Sequence, residues 1–277
     1  MIGNDPSLPS SLSAKISLFQ SYVSRQYSSK ALGWPVARKR IQDIAAAIVT
    51  TLGLKTPPVD LARVARLFQV NITERRTMHA NVSGQLLPTR NGFEIVMPEN
   101  TKRQPSTRWR FTLAHELGHT LFFLSGPSGP ERIFPRPLGP LSALSRREEG
   151  LCDSFAAALL VPDVFLRDFR SQSPTLSGII QTSLRFQVTP DVLIRRLLHD
   201  FRIMQDRAVY AIRPSEPLRV AVFRGRAASK KLPTANQLKL LLTSQNSTNY
   251  ISVLKQDPRF SKCDFCLYRG RTLYFIV

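Results

Sequence analysis

Cysteine and long apolar runs are scarce in this chain, and each scarcity excludes a class of protein. Three cysteines among 277 residues cannot build the disulfide framework of a small secreted domain, and they favour a reducing compartment, the cytoplasm. No stretch reaches the roughly 18 uninterrupted apolar residues of a membrane-spanning helix, so we expect no membrane partner. Residues 1–30 are rich in serine and lack the apolar segment of a secretion signal.

Acidic residues are also few, with 19 Asp and Glu against 39 Lys and Arg, a net charge of +20. Residues 201–277 hold 14 of the basic and 4 of the acidic residues, so half of the excess lies there. This balance favours an acidic partner, most simply nucleic acid, in contact with the basic C-terminal region. It fits equally well an arginine-rich protein from a GC-rich genome, in which the charge has no function.

The spacing of apolar residues predicts an α+β protein in four segments. They are a poorly ordered N-terminal extension (1–34), a domain with a small antiparallel sheet and a histidine-bearing helix (35–170), a helical module resembling a helix-turn-helix (171–204), and a small basic α+β domain (205–277).

Local signals place several elements within these segments. We predict a helix over residues 36–52, a second helix capped by Asp60, and a hairpin turning at Asn91-Gly92. The Pro- and Gly-rich residues 125–147 are predicted to be a loop, either a mobile insertion or the lip of a cleft. In the C-terminal segment one helix, TANQLKLLLTSQ, is expected among five strands, one of them YISVL.

The segment FTLAHELGHTLFF carries the motif His115-Glu116-Leu117-Gly118-His119. Residues four apart share one face of a helix, so both imidazoles can reach a single ion. Zinc lowers the pKa of a bound water toward about 7, and Glu116 can take its proton. Gly118 costs about 1 kcal/mol of helix stability relative to alanine, and it lets another segment pack closely. The alternative is a buried helix in which both histidines only form hydrogen bonds.

A catalytic zinc requires a third protein ligand. A third histidine in the extended HExxHxxGxxH pattern is excluded, because Phe122 and Ser125 occupy the required positions. His79 and His199 lack ligand spacing. A glutamate at the start of the next predicted helix is the other solution.

Glu149 lies 30 residues after His119 and has Asp153 four residues later on the same helical face. We expect Glu149 to bind the metal and Asp153 to accept a hydrogen bond from a ligand histidine, which fixes the ring and its tautomer. Glu148 has Cys152 in the equivalent position and so lacks this partner. The alternative is that both glutamates only favour the positive end of a helix.

Four segments, PPVDLARVARLF, VSGQLL, RFTLAHELGH and EEGLCDSFAAALLVP, resemble in this order the ImmA/IrrE metallo-endopeptidases, over residues 37–198. The resemblance implies a gluzincin-like zinc peptidase with one catalytic ion inside the bacterial cell. His115, His119 and Glu149 would be the ligands and Glu116 the general base. Members typically cleave a helix-turn-helix repressor and so switch on stress-response or mobile-element genes. The usual Ala-Asn of the second zinc helix is Cys152-Asp153 here, which keeps a polar side chain beside the ligands.

Several points stay open in the sequence. No tyrosine falls between residues 35 and 200, so the oxyanion donor would be His79, an arginine or a C-terminal residue, although His79 also fits a plain loop. Cys263 and Cys266 have CxxC spacing, which suits a redox pair, half a metal site or two ordinary residues.

The competing function is a DNA-binding regulator whose zinc site is structural or vestigial. Residues 176–201 would then be a helix-turn-helix with Arg195 and Arg196 on its second helix. Asp191 in the first turn of that helix argues against this alternative.

Overall fold

The structure is a computed structural model and describes residues 9–28, 34–76, 83–99, 106–133, 143–166, 174–201, 203–215, 217–228, 232–244, 249–261, 263–269 and 271–277. The architecture is α+β, as the apolar spacing predicts. No helix within these ranges is long and apolar enough to cross a membrane.

The helices are α1 (Ser10–Ser28), α2 (Trp34–Thr51), α3 (Leu61–Leu67), α4 (Thr107–His119), α5 (Ala143–Leu160), α6 (Leu176–Phe186), α7 (Pro190–Arg195), α8 (Ala235–Ser244) and α9 (Tyr250–Gln256). The strands are β1 (Val70–Arg75), β2 (Gln85–Thr89), β3 (Gly92–Pro98), β4 (Phe123–Gly126), β5 (Gly129–Arg132), β6 (Ala208–Arg213), β7 (Arg219–Arg224), β8 (Asp264–Tyr268) and β9 (Thr272–Ile276). Short 3-10 turns occupy Thr120–Phe122 and Asp163–Phe165, and a π-helical turn occupies Arg196–Asp200.

The chain divides into two compact units. The first comprises Met1–Leu166 and Arg185–Val188, and the second comprises Arg167–Leu184 and Thr189–Val277. The predicted segments 171–204 and 205–277 therefore fall mainly in one unit.

The N-terminal helix α1 departs from the expectation of a poorly ordered extension. Its apolar residues Leu12, Ile16 and Phe19 are fully buried, and they recur at helical spacing along one face. Gln20 also donates a hydrogen bond of 2.7 Å to the carbonyl oxygen of Phe123. The serine-rich composition led to the expectation of disorder. The serines lie between the apolar positions, however, so the apolar face of the helix is not interrupted.

The sheet of the first unit has the order β1-β3-β2. The predicted hairpin is confirmed, since β2 and β3 pair antiparallel with Thr89 opposite Gly92. Gly92 has a φ of 135°, which a glycine adopts without strain. The prediction of an antiparallel sheet is wrong in one respect, because β1 and β3 pair parallel. Residues 76–91, which include β2, separate these two strands in the chain, so β3 does not follow β1 through a tight turn and can run parallel to it.

The helices around this sheet follow the predicted caps and faces. In α2 the residues Ile41, Ile44, Ala45 and Ile48 are buried, as the periodicity predicts. Asp60 accepts hydrogen bonds from the backbone N–H groups of residues 62 and 63 and caps α3. Helix α5 begins at Ala143, five residues before the predicted start, and the predicted loop also contains the hairpin β4–β5.

The second unit contains an antiparallel sheet of order β7-β6-β9-β8. Helices α8 and α9 bury Leu238, Leu242 and Leu254 in one core with Tyr210 and Phe275 of the sheet. The prediction of YISVL as a strand is wrong, because these residues begin α9. Its inward residues are spaced three and four apart, which suits a helix face, and alternation in a five-residue window cannot exclude that period.

Candidate metal centre

Helix α4 presents the predicted HELGH residues on its C-terminal half. Ser106 caps the helix by accepting a hydrogen bond of 3.1 Å from the backbone N–H of Trp109. Leu113 and Leu117 are buried, which fixes the rotation of the helix against the core. His115, Glu116 and His119 all line a cleft of about 470 Å³.

Helix α5 packs directly against α4 at Gly118. A Cβ atom on Gly118 would lie 3.2 Å from the Cα atom of Cys152, closer than most side-chain contacts. The absent side chain therefore permits the close approach that the sequence predicts for this glycine. The approach brings Glu149 and Asp153, each within one turn of Cys152, to the two histidines.

Two imidazoles and one carboxylate converge in this cleft. Nε2 of His115 lies 3.0 Å from Oε2 of Glu149, and Nε2 of His119 lies 3.6 Å from Oε1 of the same carboxylate. On the far side of its ring, Nδ1 of His115 donates to Oδ1 of Asp153 at 2.8 Å. The structure thus places the side chains of His115, His119, Glu149 and Asp153 next to one another.

Glu148 has a contact that the sequence analysis missed. Nδ1 of His119 donates to its Oε1 at 2.9 Å, and the Glu148 side chain is only 4% exposed. Arg132 completes this contact with hydrogen bonds of 2.8 and 2.6 Å to the two carboxylate oxygens. The residue four positions after Glu148 along α5 is Cys152, which gives no indication of this contact. A metal-binding histidine usually has a hydrogen-bond partner on its other ring nitrogen, so His119 needs a partner on Nδ1 just as His115 does. This requirement was the sequence signal that could have pointed to Glu148.

The carboxylates set the protonation of the two rings in the metal-free chain. Burial lowers the pKa of His115, but the hydrogen bonds that the ring donates to Asp153 and Glu149 outweigh burial and raise the pKa to about 9. For His119, burial is likewise outweighed, and the pKa is raised well above its ordinary value by Cys152, Glu148 and Glu149. Hydrogen bonds from the two rings hold the pKa of Glu149 far below its usual range. A metal ion would therefore displace protons on binding.

Cys152 offers an alternative donor. The ligand atoms of His115, His119 and Cys152 lie within 4.8 Å of one another, so this trio could also hold a metal ion. Complete burial raises the pKa of the Cys152 thiol to about 11, and the thiol is therefore neutral near pH 7. The Glu149 carboxylate lies 3.0 and 3.6 Å from the two Nε2 atoms, and for this reason we propose Glu149 as the third donor.

The chemistry of these donors fits a zinc ion. Two neutral imidazoles and a carboxylate are a known ligand set for catalytic zinc, and each ring carries a carboxylate on its other nitrogen. Glu116 lies beside the donors on the wall of the same cleft. His79 lies outside the described residues, so its proposed role as oxyanion donor has no structural account.

The arginines proposed to read DNA are engaged within the second unit. Arg196 is buried and forms an ion pair of 2.6 Å with Asp200. The exposed Arg195 places its guanidinium over the ring of Phe223 at 5.2 Å. Asp191 accepts a hydrogen bond of 2.6 Å from the hydroxyl of Tyr274. Helix α7 and the π-helical turn after it therefore use these side chains for contacts within their own unit. Cys263 and Cys266 are free thiols in the structure.

Comparison with known proteins identifies the class of this domain. Residues 65–198 match the sequence model of Peptidase_M78, the IrrE N-terminal-like domain. This match supports the resemblance of these residues to the ImmA/IrrE metallopeptidases. The structure of a Mycobacterium tuberculosis transcriptional regulator is similar with a TM-score of 0.44 and 15% identity, over 78% of this chain and 62% of that one. The chain spans less than two thirds of that protein. Among curated protein sequences, nothing matches significantly.

Proposed function

We propose that the chain is a zinc-dependent endopeptidase in which His115, His119 and Glu149 hold one catalytic ion. The observation that carries this proposal is the convergence of both Nε2 atoms on the Glu149 carboxylate, at 3.0 and 3.6 Å. The family match of residues 65–198 supports the same chemistry. Bound in this position, zinc would supply Lewis-acid activation of water and of a scissile carbonyl.

The chain's own residues divide the remaining work. Glu116 lies on the cleft wall beside His115 and His119, where it can remove a proton from the attacking water and pass it to the leaving amine. Asp153 and Glu148 each accept a hydrogen bond from Nδ1 of one histidine. Both rings are therefore fixed with Nε2 directed at the centre of the site.

Strand β2 supplies a binding edge for an extended peptide. Within the described part of the chain it is an edge strand of the three-stranded sheet, and Gln85 and Leu86 line the cleft together with Glu116. Free backbone N–H and C=O groups on such an edge can pair with a substrate strand. A looped or extended segment of a target protein would thereby lie across the metal centre.

The substrate class follows from the family rather than from the geometry. We propose a regulatory protein as substrate, specifically a helix-turn-helix repressor in the cytoplasm whose cleavage releases stress-response or mobile-element genes. The basic C-terminal region could keep the enzyme near nucleic acid, since residues 201–277 carry 14 Lys and Arg against 4 Asp and Glu. The alternative of a DNA-reading helix has less support, because Arg196 is buried and ion-paired.

The substitution Glu116→Gln tests the enzymatic role. Removing a general base should lower hydrolysis by about 10²- to 10⁴-fold while zinc content stays unchanged, since Glu116 is not among the three donors. Cells expressing wild-type or Glu116→Gln protein would be compared by mass spectrometry of newly formed protein N-termini. Cleavage sites that depend on Glu116 would support a peptidase. If both proteins retain zinc and give the same set of termini, the proposed activity is wrong.

A further inference from the structure

Arg132 lies where the hairpin β4–β5 meets the metal centre. Its Nη2 donates to both oxygens of the Glu148 carboxylate, at 2.8 and 2.6 Å. Oε1 of Glu148 in turn accepts the hydrogen bond from Nδ1 of His119 at 2.9 Å. The three side chains form a continuous path from the hairpin to a proposed metal ligand.

The hairpin holds Arg132 in place from the other direction. Arg132 is paired with Phe123 across β4 and β5, and its guanidinium lies 5.2 Å from the centre of the Phe123 ring. The backbone N–H of Ile133 donates to the carbonyl oxygen of Phe122 at 2.9 Å and fixes the end of the strand. The position of the guanidinium is therefore determined by the segment that directly follows the HELGH helix.

We propose that Arg132 is a positioning residue that acts through Glu148 on His119. A buried carboxylate needs a positive partner or several hydrogen-bond donors to stay ionised and oriented. Arg132 meets both needs, and Glu148 then retains the proton of His119 on Nδ1. Nε2 of that ring consequently remains available toward Glu149. This inference rests on the proposed zinc site and adds a residue from outside the two site helices.

The sign of the effect separates this role from simple electrostatics. Arg132 is positively charged and close to the centre, so repulsion alone would weaken the binding of a cation, and its removal would then strengthen binding. A positioning role predicts the reverse, namely that removing Arg132 weakens the binding of zinc. Partners behind metal-binding histidines typically contribute about 10- to 100-fold in metal affinity, and we expect a loss of this size for Arg132→Met.

A double-mutant cycle, in which zinc affinity is measured, tests whether Arg132 acts on His119 through Glu148. Zinc dissociation constants would be measured by competition with a chelating dye for wild type, Arg132→Met, Glu148→Gln and the double variant. Arg132→Lys should recover part of the loss, because it keeps the charge. Arg146→Met is the matched control, since Arg146 is exposed on α5 near Glu148, and it should change nothing. Intrinsic tryptophan fluorescence would establish that each variant is folded.

The expected result is a weaker site in Arg132→Met and no additional loss, within about twofold, when Glu148 is already glutamine. Affinity in Arg132→Met that equals or exceeds wild type would overturn the inference while leaving the zinc site intact. An equal loss in the Glu148→Gln background would also overturn it, because Arg132 would then act by another route. A wild-type chain that binds no zinc would remove the proposed metal centre itself.

Discussion

Replacing Gly118 with alanine measures how closely the two site helices approach. The added Cβ would lie 3.2 Å from Cα of Cys152 and 3.2 Å from Cδ1 of Phe155. The first of these is a backbone atom, so α5 itself must shift. Overpacking of this kind costs about 1–3 kcal/mol, whereas alanine gains about 1 kcal/mol over glycine within a helix. We therefore expect a net loss of about 1 kcal/mol in the free energy of unfolding.

Tryptophan fluorescence in urea is a selective assay for this change. The chain has two tryptophans, Trp34 and Trp109, and both lie in the first compact unit. With a slope of about 2 kcal/mol per molar urea, the midpoint of the metal-free chain should fall by about 0.5 M. Zinc affinity should fall as well, because the proposed donor Glu149 moves together with α5.

A second-site variant controls for the contact itself. In a Phe155→Leu background the penalty of Gly118→Ala should shrink, because one of the two 3.2 Å contacts then involves a different side chain. A stabilising effect of Gly118→Ala would refute the reasoning. If Gly118→Ala raises the urea midpoint and leaves zinc affinity unchanged, the helices have room for a side chain, and the glycine has no packing role.

Two further predictions concern the donor set and the second unit. Glu149→Ala should reduce the zinc content of the purified chain, whereas Cys152→Ala should leave it unchanged; the reverse pattern would assign the third donor to the thiol. Tyr274→Phe should destabilise the second unit by about 1.5–3 kcal/mol, because it removes a hydrogen bond to the Asp191 carboxylate. Tyr268→Phe is its control, since that buried hydroxyl has no partner among the described residues. Hydrogen exchange of the β9 amides would measure both, and equal protection in the two variants would contradict the assigned role.

The pairing of side chains within each of the two site helices was predictable because it depends on local helix geometry. His115 and His119 share a helix face at any position in any fold, and Glu149 and Asp153 share another for the same reason. The period of a helix therefore sufficed to propose two pairs of side chains. The sequence also had to indicate that the two helices lie close together. Gly118, inside the HELGH helix, was the signal for this close packing.

The contacts missed by the sequence analysis depend on the approach of separate segments. Glu148 meets His119 across two helices, at a sequence separation of 29 residues. Arg132 comes from a hairpin within a Pro- and Gly-rich stretch that carries no periodic signal. Arg196 likewise was proposed from the sequence to read DNA, but in the structure it is buried and forms an ion pair with Asp200.

The sequence by itself determined the chemistry of the proposed donors and the helices that present them, since both follow from residue type and a fixed period of about 3.6 residues. Tertiary structure alone decided which carboxylate faces which imidazole nitrogen. It also decided that an arginine from the following hairpin would hold Glu148. Those choices depend on the distance between surfaces that are remote in the chain, and local periodicity carries no information about that distance.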